Sequence, residues 1–207
     1  MRKYFLLVAM AVSLCGFKRA TNGVNEKVVK AANDKLYSFL ENIPVGSESQ
    51  FGIDNRDEIK TATLGTPYHV MVLTKEFYNA INLSGAAYAA YVTGSNEWRV
   101  PVLVNGSSRV LVTVNAENGS YTAGDLGGAG LARELQQGKP RKKHTYAILR
   151  VHRLTSDFLI DMPGNSLADA VCIPLASARM ALPALSGNEQ GYTLAETLNA
   201  IKDKLNK

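Results

Sequence analysis

The apolar positions of this chain change period several times, and the changes mark its elements. Over residues 24–43, Val24, Val28, Ala31, Ala32, Leu36, Phe39, Leu40 and Ile43 recur every three or four residues, with Glu26, Lys27, Lys30, Asp34 and Lys35 between them. That period predicts an amphipathic helix over residues 25–42, preceded by a polar tether at 18–23 and ended by Pro44. Its polar side mixes both charges, which argues for a helix packed on a core rather than one lying on a membrane. Further on, Asn55 and Glu58 have capping-box spacing for a short helix that ends near Gly65, with Pro67 beyond. Residues 68–73 alternate as a strand, with His69 and Met71 opposite Tyr68, Val70 and Val72. Residues 75–91 fit helix and strand equally well.

Residues 98–135 carry the densest signals. Residues 98–104 and 109–114 are rich in β-branched side chains, and Asn105-Gly106 between them predicts a tight hairpin, because both residues accept positive φ. Asn118-Gly119 predicts a second turn, into a strand at 121–126. Gly127-Gly128-Ala129-Gly130 then leads into Leu131-Ala132-Arg133-Glu134-Leu135, a good helix former.

The second half repeats this theme. Residues 138–144 form a basic loop, and 145–154 read as a strand with Ala147, Leu149 and Val151 on one face and Tyr146, Ile148, Arg150 and His152 on the other. A partner strand is expected at 158–161 and a turn at Pro163-Gly164-Asn165. Residues 166–182, interrupted by Pro174, hold a strand and a short helix at 176–182. Thr193 and Glu196 form a capping box for a last helix with the stripe Leu194, Leu198, Ile201 and Leu205. The expected fold class is α+β: an antiparallel sheet, built around the meander at 98–126 and packed with N- and C-terminal helices. One domain over residues 24–207 is the simplest division, with a split near Lys139 as the alternative.

Composition changes this picture chiefly at the N-terminus. Arg2 and Lys3 precede an apolar run over residues 4–14, too short for a membrane span and of the right length for a signal peptide. The chain is therefore expected to be exported, to the cell envelope, the periplasm or the exterior. Cys15 at the end of the run is the expected lipid-attachment residue, although Leu14 departs from the small residue that such signals place there. Ordinary cleavage near Cys15 or after Ala20 is the alternative. The 23 basic and 18 acidic residues give +5; losing Arg2 and Lys3 leaves +3, and losing Lys18 and Arg19 as well leaves +1. A near-neutral mature chain gives no reason to expect a nucleic-acid partner. Cys172 then remains the one cysteine, so no intramolecular disulfide is expected, and about 190 residues can fold without one.

Candidate chemistry is sparse. His69, His144 and His152 lack metal-ligand spacing with Cys172, so no metal is expected. Gly124, Gly127, Gly128 and Gly130 miss the G-x-G-x-x-G spacing of a dinucleotide site, and no cofactor is expected; glycines that let the chain turn are the better account. Cys172, between Val171 and Ile173, has the surroundings of an inert buried thiol more than of a nucleophile with His144 or His152 as its base. No G-x-S-x-G elbow is present. Asp157 and Asp161 share a strand face some 13 Å apart at about 3.3 Å per residue, too far for glycoside hydrolysis. Tyr68, Tyr88, Tyr91, Trp98, Tyr121 and Tyr146 are candidates to line a groove, though each also suits a cross-strand position. Asn82, Asn105 and Asn118 match the glycosylation pattern, by chance in a chain with a bacterial-type signal. One charge cluster stands out: Lys139, Arg141, Lys142, Lys143 and His144, with Arg150 and His152 downstream. It is a candidate interaction patch for anionic lipid headgroups, a glycan acid or an acidic partner, against the commoner role of a solvated loop.

Asn96-Glu97-Trp98-Arg99-Val100-Pro101-Val102, the junction at 127–135, and Pro174-Leu175-Ala176-Ser177-Ala178-Arg179-Met180-Ala181-Leu182, together with the export signal, resemble secreted or lipid-anchored proteins of Bacteroidetes-type bacteria. A weaker likeness is to protease propeptide and PepSY-like modules, which set short antiparallel strands against helices. Neither resemblance implies site residues. The expected function is a non-catalytic extracytoplasmic module that binds a protein, peptide or glycan. A hydrolase using Cys172 and His152, or a structural subunit of an envelope complex, are the alternatives.

Overall fold

The computed structural model describes residues 15–83, 88–138 and 144–207, with side chains from residue 23 onward. Residues 1–14, where an export signal is expected, the Cys15 side chain, and Lys139, Arg141, Lys142 and Lys143 lie outside the described residues.

Helix α1 (Cys15–Glu41) runs back through the stretch expected as a tether. Lys18, Arg19 and Ala20 have no apolar period but high helix propensity, and propensity is enough to prolong a helix already anchored by its stripe. A 3-10 turn at Arg56–Thr61 replaces the expected short helix and ends sooner. Asn55 accepts from the Asp57 amide, while Glu58 accepts from Asp54 rather than from Asn55. The residues that follow are drawn off at once into β1 (Thr63–Leu64). Strand β2 (Tyr68–Leu73) matches its sequence pattern, and the ambiguous segment after it contains α2 (Lys75–Asn79) and a 3-10 turn at Tyr88–Tyr91.

The meander follows as β3 (Val92–Val104), β4 (Ser107–Glu117) and β5 (Ser120–Gly127). Asn105 and Gly106 have φ of 52° and 76°, and Asn118 and Gly119 have 50° and 79°. Positive φ at both central residues is the primed turn that matches strand twist. Gly128, at φ 71°, opens α3 (Ala129–Gln137). Then come β6 (Thr145–Val151), β7 (Ser156–Met162), β8 (Val171–Pro174), α4 (Ala176–Ala181), β9 (Tyr192–Thr193) and α5 (Leu194–Leu205).

The nine strands form one mostly antiparallel sheet in the order β5-β4-β3-β2-β6-β7-β8-β9, with β1 attached to β3. One pair, β2 with β6, is parallel. Its cause is the route of the chain: β5 ends at the sheet edge, and α3 carries the backbone across one face to the centre, where β6 enters alongside β2. An antiparallel neighbour is the natural product of a hairpin, and this seam is made by a crossover instead.

Each face has its own cover. Val28, Ala32, Leu36 and Leu40 of α1 pack on Trp98, Val100, Val112 and Val114. On the same face, beyond the seam, Leu194, Leu198 and Ile201 of α5 and Phe77 of α2 pack on Leu149, Phe158, Ile160 and Cys172. On the opposite face α3 sets Ala132 and Leu135 against Leu111, Ile148 and Leu159, with Tyr68 beside them. The part of that face beyond the reach of α3 carries charged side chains.

Candidate functional site

Arg150 and Asp157 face each other across the β6–β7 pair. Alternation places both opposite the core-facing Leu149, Val151 and Phe158. The Arg150 guanidinium grips Asp157 in parallel, Nε donating to Oδ1 at 2.9 Å and a terminal nitrogen to Oδ2 at 3.1 Å. Its other terminal nitrogen donates to Glu97 Oε1 at 3.4 Å. Arg99 Nε donates to the same oxygen at 2.7 Å, and Arg99 also donates to Thr113 Oγ1 at 2.6 Å. The Asp157 amide is held by Ser177 Oγ at 3.0 Å, which ties the row to α4. Two guanidinium groups and two carboxylates thus form a compensated row across β3, β6 and β7. The Asp157 carboxylate, by its hydrogen bond, holds the Arg150 guanidinium above its ordinary pKa.

The hairpin beside this row turns through a 3-10 segment at His152–Leu154 and closes on Thr155, with φ 47° and ψ 45°. Left-handed backbone is unusual for a β-branched residue and costs about 1–2 kcal/mol. The Thr155 amide donates to His152 O at 3.1 Å, which fixes the turn. Arg150, His152, Thr155 and Asp157 enclose a cleft of about 380 Å³. His152 is exposed at its lip. Strain of this kind concentrates where the surrounding structure holds a residue for a purpose beyond folding.

The expected interaction patch is divided. Arg150 and His152 meet at this cleft. His144 lies toward the other end of the β6–β7 pair, where its Nδ1–H donates to Asp161 Oδ1 at 2.6 Å, and Asp161 is 3% exposed. Asp157 and Asp161, set aside as a carboxylate pair, each hold a different base. Glu97, Arg99 and Thr155 escaped the sequence reading. Glu97 and Arg99 are two apart on a strand and so share a face, and residues 152–155 are flanked by a strand on each side, which was the available sign that Arg150 and Asp157 are opposed.

Cys172 is wholly buried, and burial pushes its thiol up to about 12. It points to the α5 face of the sheet, whereas His152 lines a cleft on the other, so the sheet stands between the two. The aromatic residues do not share a groove. Trp98 stacks on His69 with centroids 4.4 Å apart and meets Tyr121 edge-on, Tyr68 is buried beside α3, and Tyr88 and Tyr91 pack on the α5 side. Among the described residues, no three His, Cys, Asp or Glu are grouped to hold a metal ion, and no helix is long and apolar enough to cross a membrane. A larger, more open groove of about 640 Å³ lies between α1 and the β1–β2 loop, with Asn25, Lys30, Asn33 and Thr66 among its lining residues. No protein-family model, curated protein or solved structure matches the chain.

Proposed function

We propose that this protein is an exported binding module that engages a protein, peptide or glycan at the cleft formed by Arg150, His152, Thr155 and Asp157. The observation that carries the reading is Thr155: a β-branched residue kept in left-handed backbone at the lip of a polar cleft, where glycine or asparagine would fit at less cost. Beside it, a guanidinium and a carboxylate are immobilised by each other, which presents fixed donors and acceptors with little rotamer freedom left to lose on binding. Export rests on the basic start and apolar run of residues 2–14, with Cys15 as the proposed point of lipid attachment.

Two experiments test the two halves. Intact mass of the protein produced with its own signal in a diderm host is expected to show a chain shortened at or near Cys15; an unprocessed chain would contradict export. Arrays of immobilised peptides and glycans are expected to retain the wild type and the Lys30→Ala control, whose change lies at the other groove, and to lose His152→Ala. Equal retention of all three would move the site away from this cleft.

A further inference from the structure

We propose that Asn118 is a site of spontaneous deamidation in the folded protein, and that the chemically equivalent Asn105 is shielded from it by the structure. Both residues precede glycine, and both sit at the first central position of a primed two-residue turn with φ near 50°. Glycine leaves the following amide nitrogen sterically open, so each asparagine has the same intrinsic chemistry. In the reaction the Gly119 nitrogen gives up its proton to solvent and attacks Asn118 Cγ. A nitrogen–carbon bond closes a five-membered imide, the Cγ–Nδ2 bond breaks, and ammonia leaves after taking up a proton. Water then opens the imide at one of its two carbonyls, giving aspartate or isoaspartate. The net change is one water consumed and one ammonia released, with no oxidation or reduction and one negative charge gained.

The two turns differ in what holds them. Asn105 lies against the 3-10 turn at Arg56–Thr61: its amide N–H donates to Thr61 Oγ1 at 3.4 Å, and its Nδ2 donates to Glu58 Oε1 at 3.5 Å. Both contacts are long; the first holds the Asn105 backbone in place, and the second engages the side-chain amide that must rotate toward the Gly106 nitrogen. The Glu58 carboxylate also opposes the negative charge that develops on the attacked amide. Both Asn-Gly pairs are exposed, so the difference lies in the bonding: the Asn118 side chain has no hydrogen-bond partner among the described residues, whereas Asn105 has two. The turn that Asn118 occupies joins β4 to β5, which among the described residues is the edge strand of the sheet. The third Asn-Gly pair, Asn22-Gly23, lies within α1, where a helical backbone engages the amide nitrogen.

Isoaspartate would route the main chain through the β-carbon and lengthen a turn that requires two residues with set dihedrals. The closing pair Glu117 with Ser120 would then lose its register, and the outer end of the β4–β5 hairpin would loosen.

The test ages the full chain in mildly alkaline buffer, folded and in denaturant, and follows each site by peptide mapping. In denaturant Asn105 and Asn118 are expected to react at similar rates. Folding is expected to slow Asn105 at least roughly twofold more than Asn118, the factor expected from a hydrogen bond at the weak end of the usual net strength. The double change Glu58→Ala with Thr61→Ala is expected to bring Asn105 up to the rate of Asn118. An unmodified Asn118, or an Asn105 that keeps pace with it in the folded wild type, would overturn the proposal.

Discussion

At the scale of single residues, a few side chains are held in places that leave no alternative. A Cβ at Gly94 would clash with His69 Cε1, because the His69 ring stacks on Trp98 beside Gly94 and donates through Nε2 to Ser95 O at 2.7 Å. Gly94→Ala is therefore expected to destabilise the fold by about 1–3 kcal/mol, the usual cost of overpacking. Adding His69→Ala should recover part of the loss, and a double-mutant cycle by urea denaturation reads that coupling. Lys202 is a second such residue. It is 8% exposed, and its ammonium donates to the Phe77 and Tyr78 carbonyls at 3.1 Å each, closing the end of α2. Lys202→Met is expected to cost about 1–3 kcal/mol, since it leaves those carbonyls without their donor; an unchanged melting temperature would show that water replaces it. Neither role was legible in the sequence. A glycine in a strand signals only a bulge or a close approach, and Lys202 occupies a position that reads as the edge of a polar stripe.

At the scale of elements, local chemistry was the more legible the fewer residues it involved. Both Asn-Gly turns and the Thr193–Glu196 capping box are where the pattern puts them, because each is decided by residues within three positions of one another. In the box, the Glu196 amide donates to Thr193 Oγ1 at 3.2 Å and the Thr193 amide donates back to Glu196 Oε2 at 2.8 Å. Thr193→Ala is expected to cost about 1 kcal/mol in thermal or chemical denaturation. The hydrogen bonds from Thr193 hold the Glu196 carboxyl below its ordinary pKa. A depressed folded-state pKa stabilises above the unfolded value, and that contribution disappears as pH falls through the folded one. The start of α1 and the end of the Arg56–Thr61 turn depart from the sequence pattern for a shared reason. Helix ends without a cap or an apolar period depend on what the neighbouring chain does, and here β1 shortens one while α1's packed stripe prolongs the other.

At the scale of the whole molecule, the α+β class follows from the alternation of strand and helix periods, but the parallel β2–β6 seam does not. Seam formation depends on where α3 delivers the chain, a contact between residues 69–72 and 147–150 that no local pattern encodes. The cleft suffered in the same way, since Arg150 and His152 stood out by charge whereas Glu97 and Arg99 reach them only through the sheet order. Burial gives the whole fold an alkaline limit. Above about pH 9 an unfolded Cys172 thiol ionises, while the folded one keeps its proton until about 12. The unfolded state then binds fewer protons, so stability falls as pH rises through that window. Tyr68, also raised by burial, adds to the fall above 10.0. Denaturation midpoints measured across the window are expected to decline less steeply in Cys172→Ala than in the wild type; parallel curves would show that the thiol is not the source.

The proposed binding role turns on Thr155, held in left-handed backbone at the lip of the cleft. Its most direct measurement is the binding of Thr155→Gly to the same peptide and glycan arrays as the wild type, on protein shown by its melting temperature to be folded. Relief of strain is expected to stabilise the variant by about 1 kcal/mol, or roughly 2–4 °C. This more stable protein is expected to bind its array targets more weakly, because the Thr155 side chain is gone from the lip. Undiminished binding by Thr155→Gly would contradict that role and leave the left-handed threonine as a local cost of the β6–β7 turn.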